Sequence, residues 1–266
     1  MTNLVVLIPH YNSSKALEET IGSISESFPI DVLIIDDGSS KKPILEKLNA
    51  VYQNAGKIHI EFLPHNQGIE KALNYGLKII EKAPGYKYIG RLDSGDFCVT
   101  DKFKKQVDYL EKNPDVYLLG TWGNIIDEFS NHLYYLKHPV GYEEIQKKMY
   151  INSCFIHPSV VFRKEVLRTV GCYPENYKSA EDYAYFFNIM KRYKVENLPE
   201  VLLNYVISEN SISSIKRKEQ IKNRIKIIRN HFYFGLYPIW GIIRNVLLLF
   251  TSRNFIVRIR QMRGVK

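Results

Sequence analysis

The chain of 266 residues is 45% hydrophobic and carries a formal net charge of +9. That length and composition are ample for a packed core and allow one large domain, with or without an appendage. Three cysteines form an odd set without metal-type spacing, which argues against a disulfide framework and favours free thiols in a reducing compartment. The N-terminus lacks the features of a secretory signal peptide and is predicted to be a first strand.

The positive charge is concentrated near the C-terminus. The segment from Lys216 to Lys266 contains 13 of the 37 Lys and Arg residues but only one of the 28 Asp and Glu residues. The rest of the chain is therefore close to neutral. A basic block of this kind attracts polyanions, which are either anionic lipid headgroups or nucleic acid.

Strands and helices alternate through the first half of the chain, where short apolar runs predict strands and helical spacing of apolar residues predicts helices. The predicted strands are Leu4–Pro9, Asp31–Ile35, Ile58–Leu63 and Tyr86–Leu92. The predicted helices are Ser13–Phe28, Lys42–Ala55, Gly68–Lys82 and Lys102–Asn113. Such alternation with short loops indicates a parallel sheet with right-handed crossovers.

The alternation becomes less regular after about residue 116. The predicted strands there are Tyr117–Ile126, Ser159–Phe162 and Val201–Ile207, and the predicted helices are Tyr142–Ile151 and Glu181–Tyr193. No internal repeat or low-complexity linker interrupts the chain before the basic segment. We therefore expect one domain followed by a tail.

The tail, residues 214–266, is predicted to be helical, basic and amphipathic. Its first helix places one apolar stripe at Ile221, Ile225, Ile228 and Phe232. The apolar run Tyr237–Phe250 contains Arg244 and is shorter than the roughly 20 residues that a membrane span needs. Basic and apolar residues alternate again through 253–263. We favour a helix lying in a membrane interface; the alternative is a tail packed on the domain with a solvated charged face.

Acidic residues follow two of the predicted strands: Asp36 and Asp37 after the second, Asp93 and Asp96 after the fourth. In a parallel sheet these positions share the carboxyl edge, where ligands bind. Close carboxylates repel one another unless a cation or hydrogen-bond donor intervenes, so the edge predicts a metal ion or a hydrogen-bonded ligand. Taken singly, Asp93 and Asp96 could equally belong to an ordinary turn, and Asp36 and Asp37 are better explained as an Asx turn that caps the next helix.

A further acidic pair, Glu181 and Asp182, opens a predicted helix. Acidic residues there can simply complement the helix dipole. Alternatively, one of them could project into the crevice as a general base.

Several motifs occur in a fixed order along the chain. They are Pro9-His10-Tyr11-Asn12, Asp36-Asp37-Gly38-Ser39, Asn66-Gln67-Gly68, Arg91-Leu92-Asp93-Ser94-Gly95-Asp96, His157-Pro158-Ser159 and Ala180-Glu181-Asp182-Tyr183. In this order the motifs resemble those of the inverting glycosyltransferases of family 2. The resemblance implies an α/β, Rossmann-like GT-A fold with a mostly parallel central sheet flanked by helices. It also implies a glycosyltransferase domain over 1–213, divided into a nucleotide-binding half (1–115) and an acceptor-binding half (116–213).

The resemblance implies roles for individual residues as well. Nucleotide-sugar binding would involve Pro9, Tyr11, Asn12, Asp36, Asp37, Asn66, Gly68, Lys71, Arg91, Asp93 and Ser94. Mn²⁺ or Mg²⁺ would be held by Asp93, Asp96 and His157, although Gly95 stands where the family usually has an acid. Asp182 would be the general base and Glu181 would contact the acceptor. A structural histidine at 157 and a solvated lysine at 71 are equally good interpretations of those two positions.

We therefore expect a metal-dependent, inverting glycosyltransferase. It would transfer a sugar from a nucleotide sugar, specifically a UDP-sugar, to a hydroxyl of a lipid-linked bacterial surface glycan such as O-antigen, capsule or lipooligosaccharide. It would work in the cytoplasm, peripherally on the inner face of the cell membrane, where its tail meets anionic lipid. The alternative is a non-catalytic, membrane-associated scaffold that binds sugar nucleotides or glycans.

Two other classes are disfavoured. A nucleic-acid partner is not expected, because the body of the chain has no recognisable nucleic-acid-binding module and the tail interleaves its charges with apolar residues. A dinucleotide oxidoreductase is not expected, because no Gly-x-Gly-x-x-Gly follows the first strand.

Overall fold

The computed structural model describes residues 3–207 and 216–251. The strands in this part of the chain are β1 Leu4–His10, β2 Asp31–Asp36, β3 Ile58–Phe62, β4 Tyr88–Arg91, β5 Phe97–Cys98, β6 Val116–Ile126, β7 His132–Leu136, β8 Val161–Arg163 and β9 Lys194–Val206. The helices are α1 Ser14–Gly22, α2 Leu45–Val51, α3 Ile69–Lys82, α4 Lys102–Lys112, α5 Tyr142–Lys148, α6 Val166–Thr169, α7 Glu181–Met190, α8 Arg217–Asn230 and α9 Leu236–Leu249. A short 3₁₀ turn covers His157–Ser159.

The first half of the chain forms the parallel part of one sheet. Strands β3, β2, β1 and β4 lie side by side and run in the same direction, as predicted. His10 lies opposite Asp36, and Asp36 lies opposite Phe62. The ends of β1, β2 and β4 therefore meet at one edge, which places the residues that follow them close together.

The second half extends the same sheet with mixed pairing. Strand β8 lies antiparallel between β4 and β6 and joins the two halves. Strand β9 runs parallel to β6, and the short β5 and the hairpin strand β7 pair antiparallel with β9 and β6. The two halves share one continuous sheet, and their division into a nucleotide half and an acceptor half remains a prediction.

The core has two layers because the inner strands are buried on both faces. In β1, Val5 and Leu7 face one layer, whereas Leu4, Val6 and Ile8 face the other. Helices α3, α5 and α7 cover the first layer, and α1 and α4 cover the second. Continuous apolar strands of this kind are typical of parallel sheets covered by helices on both sides.

Helices α1 and α2 are shorter than predicted. The side chain of Asn54 explains why α1 does not continue to Phe28. Its oxygen accepts the N–H of Ile30, and its amide donates to the carbonyl oxygens of Glu26 and Phe28. These bonds hold the chain after α1 in an extended path. A single polar side chain thus offers the backbone an alternative to helix.

Residues 216–251, the described part of the predicted tail, form a helical hairpin. Arg217, at the start of α8, donates to the carbonyl oxygens of Leu248 and Thr251 at the end of α9, at 2.8 Å each. Ile221, Ile227 and Ile228 are the buried isoleucines of α8. The predicted stripe is therefore partly wrong, because Phe232 lies beyond the helix and is exposed. The predicted alternation over 253–263 lies outside the described residues.

Candidate active site

The loop after β2 is organised by Asp36. One of its carboxylate oxygens contacts His10 Nδ1 at 2.7 Å, and the other accepts the N–H of Ser39 at 3.1 Å. Asp36 is fully buried. Its observed bonds therefore join β1 to the loop after β2, and its contact with a nucleotide remains a prediction.

Asp37 organises the next loop along the edge. Its two oxygens accept the backbone N–H groups of Gln67 and Gly68 at 2.8 and 2.9 Å. Gly68 has φ +100° directly before α3, a conformation that favours glycine. Burial is the main cause that raises the pKa of Asp37, and the two N–H bonds oppose it. Asn66 and Lys71 are exposed on either side of this turn.

The Tyr11-Asn12 segment borders the same edge. Asn12 has φ +51°. Its side-chain oxygen accepts the N–H of Ser40 at 2.9 Å, and its own N–H donates to Ser39 Oγ at 2.8 Å. Tyr11 is half exposed beside it, and Pro9 is partly exposed at the end of β1. The polar contacts hold the two loops together and leave the Tyr11 ring available at the surface.

Arg91 is a buried cation at the end of β4. Its guanidinium contacts Asp93 at 2.5 Å and donates to the carbonyl oxygen of Leu92. Its Nε donates to His157 Nε2 at 3.3 Å. A buried charge of this kind needs partners, and the carboxylate of Asp93 supplies one.

His157 meets this cluster through a single nitrogen. Because arginine can only donate hydrogen bonds, His157 Nε2 must be the acceptor. The hydroxyl of Tyr173 lies 2.9 Å from the same nitrogen. Burial, followed by the charge of Arg91, lowers the pKa of His157 well below its usual value, so the ring is neutral. Coordination of a metal ion through Nε2 would require both neighbours to move, and that role remains a prediction.

The Ser94-Gly95-Asp96 turn is fastened to α1. Ser94 Oγ lies 3.0 Å from Ser13 Oγ, and the N–H of Gly95 donates to Thr20 Oγ1 at 2.8 Å. Gly95 has φ +106°, which side chains rarely tolerate. Ser13, the residue before α1, makes no side-chain capping bond to the helix.

Asp96 is buried with one oxygen engaged. Its Oδ1 accepts the N–H of Val206 at 2.9 Å, whereas Oδ2 has no hydrogen-bond partner among the described residues. Burial, followed by the charge of Asp93, raises the pKa of Asp96 well above its usual range. The carboxyl group is therefore poised to accept a cation or to retain a proton.

The acidic pair at the start of α7 lies beside this cluster. Asp182 Oδ1 accepts the N–H of Tyr183 at 2.7 Å, and Glu181 Oε2 lacks a partner within the described part of the chain. Burial, followed by the charge of Asp182, raises the pKa of Glu181 to about 8. Burial is also the main cause that raises the pKa of Asp182, and the charge of Asp93 adds to it.

The electrostatic effects show that these acids share one neighbourhood. Burial and then the charges of Asp96, Asp93 and Asp182 raise the pKa of Tyr205. Neither Tyr205 nor Glu70, whose charge contributes to the raised pKa of Glu181, was predicted from the sequence to belong to the site. Glu70 lies in the first turn of α3, two residues after the predicted site residue Gly68, and that proximity was the available signal.

A metal site made by protein ligands alone is not present in the described ranges. Among residues 3–207 and 216–251, no group of three or more His, Cys, Asp or Glu residues is arranged to hold an ion. The predicted ligands divide accordingly: Asp93 pairs with Arg91, Asp96 has a free oxygen, and His157 bonds to Arg91 and Tyr173. Any ion at this edge would need further ligands from a bound substrate.

The carboxyl edge of this α/β sheet, which gathers an arginine and several carboxylates, is the edge at which such folds bind their ligands. The chain matches the family model "Glycosyl transferase family 2" over residues 5–171. It therefore belongs to glycosyl transferase family 2, and the resemblance identified from the motifs is confirmed.

Two relatives extend the similarity over most of the chain. "Amylovoran biosynthesis glycosyltransferase AmsE" of Erwinia amylovora is 30% identical over 234 residues, which cover 84% of each chain. "UDP-Gal:alpha-D-GlcNAc-diphosphoundecaprenol beta-1,3-galactosyltransferase" of Escherichia coli is 29% identical and covers 82% of this chain and 77% of its own.

Solved structures confirm the predicted GT-A fold. The "Mannosyltransferase PcManGT from Pyrobaculum calidifontis in complex with GDP-Man and Mn2+" has a TM-score of 0.65 at 16% identity, covering 96% of this chain and 72% of its own. The "Crystal structure of S. aureus TarS 1-349 in complex with UDP-GlcNAc" has a TM-score of 0.63 at 19% identity, covering 91% and 69%. At this identity the likeness establishes the fold alone.

Proposed function

We propose that this glycosyltransferase transfers a sugar from a UDP-sugar, with inversion, to a hydroxyl of a lipid-linked surface glycan. The observation that carries the proposal is the meeting of Arg91, Asp93 and Asp96 with Asp182 at one sheet edge. One end of this cluster is cationic and buried, and the other offers carboxyl groups with raised pKa values. Such a combination suits a reaction in which a diphosphate leaves while a hydroxyl loses its proton.

Each residue has a distinct task in this reaction. Asp182 accepts the proton of the acceptor hydroxyl as that oxygen attacks the anomeric carbon. The nucleoside diphosphate leaves from the opposite face, so the configuration inverts through an oxocarbenium-like transition state. Arg91 faces the developing negative charge, and the Asp93 carboxylate and neutral His157 orient its guanidinium. Glu181 contacts the acceptor, and its raised pKa allows it to donate a hydrogen bond at neutral pH.

The acids at the end of β4 fit a divalent cation that is shared with the donor. Mg²⁺ and Mn²⁺ are commonly held by one or two carboxylates together with substrate phosphates. The unpartnered Oδ2 of Asp96 and the nearby Asp93 supply such a pair. A bound ion would neutralise charge on the leaving diphosphate. We therefore assign the metal to Asp93 and Asp96; coordination by His157 Nε2 as a third ligand would require this nitrogen to release Arg91 and Tyr173.

The names of the relatives support the substrate class. One names a UDP-galactose donor and a diphosphoundecaprenol-linked acceptor, and others name amylovoran and O-antigen biosynthesis. We propose a donor and a lipid-linked acceptor of the same chemical kind for this chain.

The first test uses UDP-galactose and GlcNAc-diphosphoundecaprenol in detergent with Mn²⁺, followed by other UDP-sugars and GDP-mannose. Asp182→Asn and Asp93→Asn should each lower transfer by roughly 100-fold or more. Asp182→Asn should leave UDP binding, measured by calorimetry, unchanged. Asp108→Asn is the control, since Asp108 is an exposed acid on α4 that pairs with Lys104.

The outcomes separate the candidate functions. Wild-type transfer rates in both site variants would contradict the mechanism. Binding of UDP and Mn²⁺ with no turnover across the donor panel would instead favour a non-catalytic scaffold, for which the glycine at position 95 is the supporting observation.

We also propose that the hairpin of α8 and α9 attaches the enzyme to an anionic membrane surface. No helix within the described residues is long and apolar enough to cross a membrane. Large apolar side chains are nevertheless exposed in the loop between α8 and α9 and on one face of α9. This apolar ridge consists of Phe232, Tyr233, Phe234, Leu236, Ile239, Trp240, Ile243, Val246, Leu247 and Phe250.

The charges around the ridge favour lipid as its partner. Lys218, Lys222 and Arg229 are exposed on α8. A cleft of about 420 Å³ beside Tyr233 is lined by Lys147 and Lys191, together with Glu143. Apolar side chains flanked by cations are typical of helices that lie in a membrane interface.

Vesicle flotation tests this attachment. The full chain should float with vesicles that contain phosphatidylglycerol and much less with phosphatidylcholine alone. The double substitution Trp240→Ser and Phe250→Ser should lower binding by at least about tenfold, because each ring contributes roughly 1.5–3 kcal/mol on burial. Phe129→Ser is the control, since Phe129 is 84% exposed in the turn between β6 and β7. A dimer in solution that the double substitution dissociates, without vesicle binding by the wild type, would assign the ridge to a second copy instead.

A further inference from the structure

Helix α8 contacts the loop that leads into the acidic pair. The loop covers residues 177–180 and ends directly before Glu181. Ser179 has φ +61°, a conformation that residues other than glycine seldom adopt. One turn bond, from the N–H of Ala180 to the carbonyl oxygen of Tyr177 at 2.9 Å, closes the loop. Backbone in this conformation persists where its surroundings hold it in place.

Three side chains from one face of α8 supply such contacts. Asn223 Nδ2 donates to the carbonyl oxygen of Lys178 at 2.8 Å. Asn230 Nδ2 donates to the hydroxyl of Tyr177 at 2.5 Å. The ammonium group of Lys226 lies 5.0 Å from the centre of the Tyr177 ring. Spacings of three and four residues place these side chains along one helix face, so α8 contacts the loop at two successive residues, Tyr177 and Lys178.

The same helix is anchored in the core that carries α7. Ile227 and Ile228 are buried in the apolar layer that contains Phe187. The ring of His231 stacks on Phe187 with 4.4 Å between ring centres. Helix α8 is therefore packed against α7 as well as hydrogen-bonded to the loop that precedes α7.

Arg224 follows Asn223 and brings a positive charge to the same region. Its charge lowers the pKa of Asp182 and also that of Tyr183, whereas burial raises both. Nearby positive charge favours the ionised form of a carboxylate, which is the form that a general base needs.

We infer that α8 is a positioning element of the active site, in which Asn223 fixes the loop that leads into Glu181 and Asp182. The inference rests on the proposed role of Asp182 as general base. It assigns the C-terminal hairpin a direct effect on the chemical step, in addition to its proposed membrane attachment.

The test measures transfer in detergent, so that membrane binding does not contribute. Asn223→Leu, which removes the amide donor at similar size, should lower kcat by roughly tenfold to 100-fold with the affinity for UDP unchanged. Asn223→Gln, which retains the donor, should recover part of the loss. Glu219→Gln is the control, because Glu219 is exposed on the same helix.

The melting temperature of each variant distinguishes positioning from stability. If Asn223→Leu lowers the melting temperature but leaves kcat unchanged well below it, the inference is wrong. Asp182→Asn is measured in parallel. Its inactivity together with unaffected α8 variants overturns this inference alone, whereas wild-type transfer by Asp182→Asn overturns the proposed base and this inference together.

Discussion

Docking of the C-terminal hairpin depends on a glycine in α9. A Cβ atom added at Gly241 would lie 1.8 Å from the carbonyl oxygen of Tyr150. Since such contacts do not fall below about 3 Å, the substitution Gly241→Ala must move α9 away from the domain by on the order of 1 Å. That movement would also strain the bonds that Arg244 and Asn245 donate to the carbonyl oxygen of Ile151, at 3.1 and 3.4 Å.

The expected magnitude follows from two opposing effects. Forcing an extra methyl group into a packed contact costs about 1–3 kcal/mol, and the overlap with backbone favours the upper part of that range. Alanine in place of glycine inside a helix recovers about 1 kcal/mol. We therefore expect Gly241→Ala to lower the free energy of unfolding by about 1–2 kcal/mol. For a domain of this size, that corresponds to a fall in melting temperature of about 2–8 °C.

Gly22→Ala is the matched control. Gly22 ends α1, and a Cβ there would approach no atom closer than 3.8 Å. Thermal and urea unfolding of this variant should give an unfolding free energy equal to that of the wild type or higher by up to about 1 kcal/mol. If Gly241→Ala is as stable as Gly22→Ala, the close docking of α9 on Tyr150 is refuted.

Three further substitutions test the buried acids and cations by urea unfolding. The difference in unfolding free energy between the wild type and Glu181→Gln should shift against the wild type as pH rises from about 4.5 towards 8, since folded Glu181 retains a proton that the unfolded chain releases. A difference that does not change with pH would contradict the raised pKa. Lys102→Met should leave the unfolding free energy at pH 7 unchanged or raise it. The Lys102 ammonium is fully buried without a hydrogen-bond partner among the described residues, and burial lowers its pKa to about 8. A marked fall in the unfolding free energy would show that the ammonium is well solvated or paired. Gly95→Asp should destabilise the fold by about 1–2 kcal/mol through its φ of +106° and should not raise the affinity for Mn²⁺; tighter Mn²⁺ binding in calorimetry would overturn this expectation.

The sequence predicted the inner part of the sheet because burial there is complete. Every residue of β2 is buried, so its apolar run could only be a strand between two covered faces. The helical spacing of Ala72, Leu73, Leu77 and Ile80 likewise matches the face of α3 that lies in the core. These elements are specified by local pattern, and their bounds differ from the predicted ones by one residue at most.

Elements that depend on distant partners could not be predicted in the same way. Strand β9 begins at Lys194 and passes through Pro199, where the prediction has no strand. The pairing with β6 skips residues 199 and 200, since Thr121 pairs with Leu198 and Trp122 with Val201. A bulge at that point removes the need for an N–H from proline. Strand β5 has only two residues and is defined by its pairing with β9, which no local pattern encodes.

The motifs located the site but could not tell which of its atoms remain available to a ligand. Asp36 and Asp37 have both oxygens engaged by the protein itself, whereas Asp96 Oδ2 and Glu181 Oε2 have no partner among the described residues. The acids of the predicted site therefore differ in chemistry. Asp36 and Asp37 hold the loops in place, whereas Asp96 and Glu181 each retain an oxygen atom for a cation or a hydroxyl. The turn at Gly95 explains part of this difference. Its left-handed backbone and its bond to Thr20 suit glycine, so the proposed metal-binding role falls on Asp93 and Asp96.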